Sequence, residues 1–353
     1  MFIFTVLDPK ALSDETGGRR LEKLFYKTVF ENHDGQYRVL TDEHFMAFSK
    51  VQKFFCYYIH RKEIANTKLL FLNSSNRRLF FWLRFIKRSN PKMIVVGFHH
   101  HFEYLTYEGN TFVANIRRFI EMSILNQMDY IITTGPYTMD MLIKHGFDNA
   151  VCLEAPFSIN LKLPKTTFDS KHIVTIGNVE SRKGLEYLID ALNVIKDKNI
   201  ILDIVGKYDE ESNYYVMLRN LIKKYKLDNN VIFHGRVDDE IKETLLSNAS
   251  MFVFPTLNEG FGMVIIEAMG HGLPVVAFNN SAIPYTVKDN WNGVLVNNKD
   301  SLDLANKIAE LINNKQLLKK LGDNAYKTYQ QSNTIEGFCR DSRIFFEKLE
   351  DTL

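Results

Sequence analysis

The chain reads as an α/β protein built from two doubly wound parallel sheets, and three observations predict it. Apolar strand-like runs alternate with amphipathic helical stretches through the second half, the pattern of a parallel sheet covered by helices. Gly177, Gly206, Gly235 and Gly260 fall at or just past the ends of those runs. Ligands of such sheets lie beyond the carboxyl ends of the strands, so these glycines belong to one cleft. Finally, 353 residues are enough to bury two cores.

In the first half, Phe2 to Leu7 predicts an opening strand, followed by a loop holding Gly17 and Gly18 and a helix over 20–30. Met93-Ile94-Val95-Val96 and Tyr130-Ile131-Ile132-Thr133 predict two buried strands. Pro156 and Pro164 mark a linker. Beyond it come a strand over 173–176, a helix over 183–195, a strand over 200–205 and a helix through Leu218, Leu221 and Ile222. Val231-Ile232-Phe233 is a strand ending at His234-Gly235, and a short helix over 241–246 leads to a strand from Met251 to Pro255. Val275-Val276 and Gly293 to Val296 are further strand segments, and helices follow from Ser301. A last helix over 335–349 carries Phe338, Ile344, Phe345 and Phe346. These signals divide the chain into 1–155, a linker over 156–171, a second domain over 172–333 and a terminal helix over 334–353.

Hydrophobic residues at 45% and charged residues at 24% are ordinary for a soluble globular protein. A net charge of +2 gives no reason to expect nucleic acid as a partner. Cys56, Cys152 and Cys339 lie far apart without metal-ligand spacing, as in a reduced cytoplasmic protein. The first residues lack a signal peptide's basic start, and no apolar run reaches the ~20 residues of a membrane span. Residues 77–88, Arg-Arg-Leu-Phe-Phe-Trp-Leu-Arg-Phe-Ile-Lys-Arg, allow two readings. A basic amphipathic helix can lie peripherally on an anionic bilayer. Alternatively, the helix packs its aromatic face on the first sheet and leaves its basic face in water.

The densest functional signal is Asn258-Glu259-Gly260-Phe261-Gly262-Met263-Val264-Ile265-Ile266-Glu267-Ala268-Met269. A Gly-x-Gly turn follows a strand and opens an apolar helix. A helix start gathers unpaired N–H groups and positive dipole, which suits phosphate. Glu259 precedes the helix and Glu267 lies about two turns in; carboxylates there accept from sugar and ribose hydroxyls. The combination points to a nucleotide-sugar site.

This run resembles the E-x7-E motif of the retaining glycosyltransferases of family 4, the group 1 glycosyl transferases. The resemblance continues into Gly270-His271-Gly272-Leu273-Pro274-Val275-Val276-Ala277, similar to that family's G-x-P-V-V-A strand. It covers about 170–330 well and the first 150 residues loosely. It implies the GT-B fold: two Rossmann-like domains facing across a cleft, with the second holding the donor and the last helix crossing back to the first. It further implies transfer of a hexose from a UDP- or GDP-linked donor to an acceptor hydroxyl with retained configuration. The acceptor, whether glycan, lipid or protein, stays open. So do two rival functions, a nucleotide-sugar-binding partner subunit and a sugar-nucleotide epimerase or phosphorylase on the same fold.

The same resemblance implies roles for particular residues. Lys183, in Gly177-Asn178-Val179-Glu180-Ser181-Arg182-Lys183-Gly184, matches the lysine that contacts the donor diphosphate. Asn178 stands where the family has arginine and cannot offer a charged fork, so Arg182 or Arg236 is expected to supply the charge. His100, with His99 next, is expected to face the transferred sugar, and His99 and His101 are expected to share a face. Gly17 and Gly18 resemble the glycine loop that approaches the diphosphate or the acceptor, and Val231 to Arg236 the segment whose backbone reads the nucleobase. Glu259 would bind sugar hydroxyls and Glu267 the ribose, with Gly260, Phe261, Gly262, Met263 and Val264 forming the donor-binding turn. Tyr285 replaces a family glutamate. No D-x-D occurs, so a metal-independent site is expected, and Asp238-Asp239-Glu240 reads as an acidic helix start.

Overall fold

The computed structural model describes residues 2–8, 17–31, 33, 36–107, 111–157, 168, 170–195 and 199–353. The chain forms two compact units, Met1–Pro156 with Asn333–Leu353, and Phe157–Ser332. Most of the expected linker, 158–167 and 169, lies outside the described residues.

The first unit runs β1 (Phe2–Leu7), α1 (Gly17–Phe30), β2 (Tyr37–Leu40), α2 (Lys50–Ile59), α3 (Arg61–Ile64), β3 (Thr67–Asn73), α4 (Leu79–Ser89), β4 (Ile94–Phe98), α5 (Thr111–Leu125), β5 (Tyr130–Thr133), α6 (Pro136–Lys144) and β6 (Ala150–Cys152). Its six strands lie in the order β2-β1-β3-β4-β5-β6, and every ladder is parallel. Parallel neighbours need crossovers, so helices cover both faces and the central strands are apolar throughout. Alternate residues of β3 show this: Leu69 and Phe71 enter a core with α1, while Leu70 and Leu72 enter a core with α2 to α6.

The second unit runs β7 (His172–Ile176), α7 (Leu185–Val194), β8 (Ile201–Val205), α8 (Asn213–Tyr225), β9 (Val231–Gly235), α9 (Asp239–Asn248), β10 (Met251–Phe254), α10 (Met263–Gly270), β11 (Val275–Phe278), α11 (Ile283–Thr286), β12 (Gly293–Val296), α12 (Ser301–Ile312) and α13 (Lys315–Gln330). The strand order is β12-β11-β10-β7-β8-β9. From β7 the chain builds outward through β8 and β9, then returns to β10 on the other side. The order therefore reverses between β7 and β10, and the loops after those two strands flank a switch point where such sheets bind ligands.

The chain then adds α14 (Ile335–Glu350) to the first unit, against α1. Phe346 lies with its ring 5.1 Å from Phe4 and 5.9 Å from Phe30, and Phe338 and Phe345 are buried beside it. Each such phenylalanine contributes about 1.5–3 kcal/mol of apolar burial.

Several expectations change. Gly17 and Gly18 do not form a loop; they open α1. Lys183 sits on a 3₁₀ turn, Ser181–Lys183, ahead of α7 rather than on the helix. On α4, Leu79, Leu83 and Ile86 are buried and Phe80 and Trp82 pack half-buried against the same core, while Phe81, Arg84 and Arg88 are exposed. The strands β2, β3 and β6 and the helices α2, α3, α5 and α6 carried no clear sequence signal.

Candidate functional site

In the second unit the loops after β7 and β10 are sewn together at the switch point. Leu257 N donates to Arg182 O at 2.8 Å, and Thr256 Oγ1 donates to the same carbonyl at 3.3 Å. Gly184, at φ 62°, allows this approach: a Cβ there would stand 2.2 Å from the carbonyl oxygen of Pro255. The seam delivers two cations to one carboxylate. Lys183 Nζ donates to Glu259 Oε2 at 2.7 Å, and Arg182 Nη1 donates to the same oxygen at 3.2 Å and to Asn258 O at 2.8 Å. Burial pulls the Lys183 ammonium below its ordinary pKa, although Glu259 pulls it the other way.

The Glu259 backbone is fixed from a third loop, its N–H donating to Ser281 Oγ at 2.9 Å and its carbonyl accepting from Ala282 N at 3.3 Å. Gly262, at φ 84°, precedes α10, whose start at Met263 and Val264 has no side-chain cap. Phe261 stacks on Phe157 at 5.6 Å between centroids. Glu267 lies one turn into α10, not two, and accepts from Lys242 Nζ at 3.5 Å. Burial would lower the Lys242 pKa, but the carboxylates of Glu267 and Asp239 raise it overall. Asn178 and Arg236 are exposed, and Arg236 makes no ion pair with a described residue. Beside Arg236, buried Asp203 on β8 binds His172 and His234, each at 2.7 Å, and so ties β7 to β9. Tyr285 is exposed on α11, and Asp238 caps α9 by accepting from Ile241 N at 2.8 Å.

In the first unit the three consecutive histidines separate, because regular alternation ends with β4 at Phe98. His99 is buried, with Nδ1 2.8 Å from Ser74 Oγ and its ring edge-on to Phe102 at 4.5 Å. Burial, with the neighbouring histidines, holds its pKa well below the ordinary histidine value. It is a neutral core residue and does not share a face with His101, which is exposed. His100 stands at the carboxyl end of the sheet. Its Nε2–H donates to Glu22 Oε1 at 2.8 Å, and Nδ1 lies 3.3 Å from Thr134 Oγ1. The same Glu22 oxygen accepts from Asn73 Nδ2. Gly18 makes room for this ring: a Cβ there would meet His100 Cδ2 at 2.8 Å.

His100 and His101 line a cavity of about 470 Å³ within this unit. Glu22 and Arg19 of α1 form one side, and Asn73 at the end of β3 with Ser75 and Arg77 beyond it another. The back wall is α5, through Val113, Ile116, Ile120 and Ile124. Arg77 pairs with Glu103, whose Oε1 also lies 3.6 Å from Arg117 Nη1. Burial pushes the Glu121 carboxyl up to about 7 while it accepts from the backbone N–H groups of Glu103 at 2.9 Å and Tyr104 at 3.3 Å. None of Glu22, Asn73, Glu103 or Glu121 was singled out by motif, and Arg77 only as the start of the segment 77–88. Asn73-Ser74-Ser75-Asn76, turn residues directly after an apolar run, was the one available signal. Among the described residues, no group of three or more His, Cys, Asp or Glu is arranged to hold a metal ion.

Two units of this kind, each a six-stranded parallel sheet between helices, define the GT-B fold. The structure superposes on sucrose-phosphate synthase from Thermosynechococcus elongatus with a TM-score of 0.81, at 18% identity and over all of both chains. It superposes on Anabaena HepE, solved with UDP and glucose, with a TM-score of 0.77 at 18% identity, over 99% of this chain and 100% of that one. Residues 162–328 match the family described as glycosyl transferases group 1. An uncharacterized glycosyltransferase of Methanocaldococcus jannaschii is 28% identical over 67% of this chain and 64% of its own length. An alpha-1,3/1,6-mannosyltransferase of Dictyostelium discoideum is 30% identical over 58% of this chain and 51% of its own. The chain thus spans less than two thirds of the length of either curated relative.

Proposed function

We propose that this protein is a retaining glycosyltransferase that moves a hexose from a UDP- or GDP-linked donor to an acceptor hydroxyl without a metal ion. The observation that carries the reading is the convergence of Lys183 and Arg182 on Glu259 at the switch point, beside the uncapped start of α10. A diphosphate at that helix start would draw both cations from Glu259 into charge-assisted hydrogen bonds. Freed Glu259 would then accept from the sugar hydroxyls, and Glu267 from the ribose. Arg182 supplies the charge that Asn178 lacks. The Gly260 to Val264 turn approaches the phosphates, and the backbone of Val231 to Arg236 reads the base.

In the reaction the bond from the sugar's anomeric carbon to the diphosphate oxygen breaks, and a bond to the acceptor oxygen forms on the same face. The acceptor proton passes to the leaving phosphate, whose developing charge Lys183, Arg182 and the α10 N–H groups stabilise. Glu259 is assigned to binding the sugar hydroxyls rather than to a hydrolase's nucleophile role. The first-unit cavity beside His100 is assigned to the acceptor.

Mannosyl transfer by the Dictyostelium relative and the glucose in the HepE structure make mannose and glucose the first sugars to test. The test is nucleotide release from a panel of UDP-, GDP- and ADP-sugars by wild type and Glu267→Ala. Slow release from one donor, lost in the variant, is expected. Asn178 favours one other reading, a partner subunit that binds donor without transfer. Binding without release across a broad acceptor set would select it, and absence of binding would overturn both.

A further inference from the structure

We propose that the outer face of α2, α4 and α5 docks on an anionic lipid bilayer. An unbroken path of rings crosses these three helices: Phe54 lies 5.2 Å from Phe81, Phe81 4.9 Å from Phe80, and Phe80 5.9 Å from Phe119. The path continues outward along each flank at helical spacing. Val51, Phe55 and Ile59 recur every four residues on α2, and Phe112, Ile116 and Phe119 at four and three on α5. All six are exposed, Val51, Ile59 and Phe119 by about two thirds and Phe112 by 74%. Isolated exposed apolar side chains are ordinary; a connected aromatic face is not. The core accounts for only part of it: Phe80 packs half-buried against the core, whereas Phe81 and the six flanking residues are exposed.

Charge identifies the occupant. The helices α2 and α4 carry Lys50, Lys53, Arg84, Lys87 and Arg88 and no acidic residue, in a chain whose 44 basic residues nearly balance 42 acidic ones. Lys53 and Lys87 are paired with Asp42 and Asp129. Lys50, Arg84 and Arg88 are exposed, and none makes an ion pair with a described residue. The Arg84 and Arg88 guanidiniums lie over the Phe85 ring, at 4.9 and 5.8 Å from its centroid. Cations at the margin of an apolar face match the headgroups and acyl boundary of an anionic leaflet. A second copy of the chain on the same face would set these uncompensated charges against themselves. On the transferase reading there is one more consequence, because Ile116 belongs both to this face and to the cavity wall. The acceptor is then amphipathic and enters the cavity from the bilayer surface.

The test is sedimentation of the full chain with vesicles of phosphatidylcholine, with and without phosphatidylglycerol, for wild type, F112S/F119S and R84Q/R88Q. Circular dichroism and Tm establish that the variants fold. Wild type should pellet with the anionic vesicles, and added salt should release it. R84Q/R88Q should weaken binding roughly fivefold per arginine, and F112S/F119S by about tenfold or more. The proposal is overturned if wild type stays in the supernatant, if both variants pellet like wild type, or if wild type is a dimer that F112S/F119S dissociates. Nucleotide release from soluble donor should be unchanged in the variants. Its absence in wild type would count against the transferase reading alone, and lost vesicle binding against docking alone.

Discussion

Lys183, Arg182 and Glu259 set up a competition that a donor would resolve. Lys183→Ala removes the more buried cation and should lower nucleotide release by about 10²–10³-fold, the usual effect of losing one group that stabilises developing negative charge. Arg182→Ala should lower it by about tenfold, and Arg236→Ala, outside the cluster, should leave it near wild type. Equal turnover in all three would refute the assignment. Glu121 makes a separate prediction about pH. Its folded pKa of about 7 lies above an ordinary 4.5, so the folded state holds its proton more tightly than the unfolded chain. Stability from this group is complete below about 4.5 and is lost as pH rises through 7, by up to about 3 kcal/mol. Urea unfolding at pH 5 and pH 8 should show this loss in wild type and not in Glu121→Gln. The assignments of Glu259 and Glu267 rest on one short motif in which they sit eight apart, and that of Lys183 on a second local motif. Glu22 could not be read from sequence, since its bond to His100 spans 78 positions and no local pattern announces it.

At the scale of elements, the second unit was legible because its strands are short apolar runs closed by glycine and its helices are amphipathic. In the first unit β3 is apolar on both faces, so Thr67–Asn73 lacks the alternation that separates strand from buried helix. The 3₁₀ turn before α7 was hidden for a different reason: it depends on Gly184 meeting a carbonyl 71 residues later. Gly184→Ala should therefore cost more than about 1 kcal/mol of stability through its positive φ alone, and should lower turnover by displacing Lys183. In contrast, Phe346→Ala on α14 should cost about 3–5 kcal/mol in urea unfolding. The first variant is expected to damage the site more than the fold, and the second the reverse.

At the scale of the whole molecule, the family match over 162–328 falls entirely within the second unit. The signal is strong where the proposed donor residues crowd one switch point, and weak where the first-unit cavity is assembled from residues scattered along the chain. Hydrogen exchange tests that division: the correct nucleotide should slow exchange in 177–184 and 258–267 and leave 335–350 unchanged. The discontinuity of the first unit also bears on synthesis. Residues 157–332 are one continuous segment, whereas His33 and Glu350, which meet at 3.1 Å, lie 317 positions apart. During translation the second unit can complete itself first. Meanwhile Phe4, Phe30 and Phe71, which Phe346 covers in the finished protein, wait uncovered on the nascent chain. A ribosome stall or nonsense codon ahead of α14 would thus release a polypeptide with an intact second unit and a sticky aromatic sheet, a natural client for chaperones and proteases.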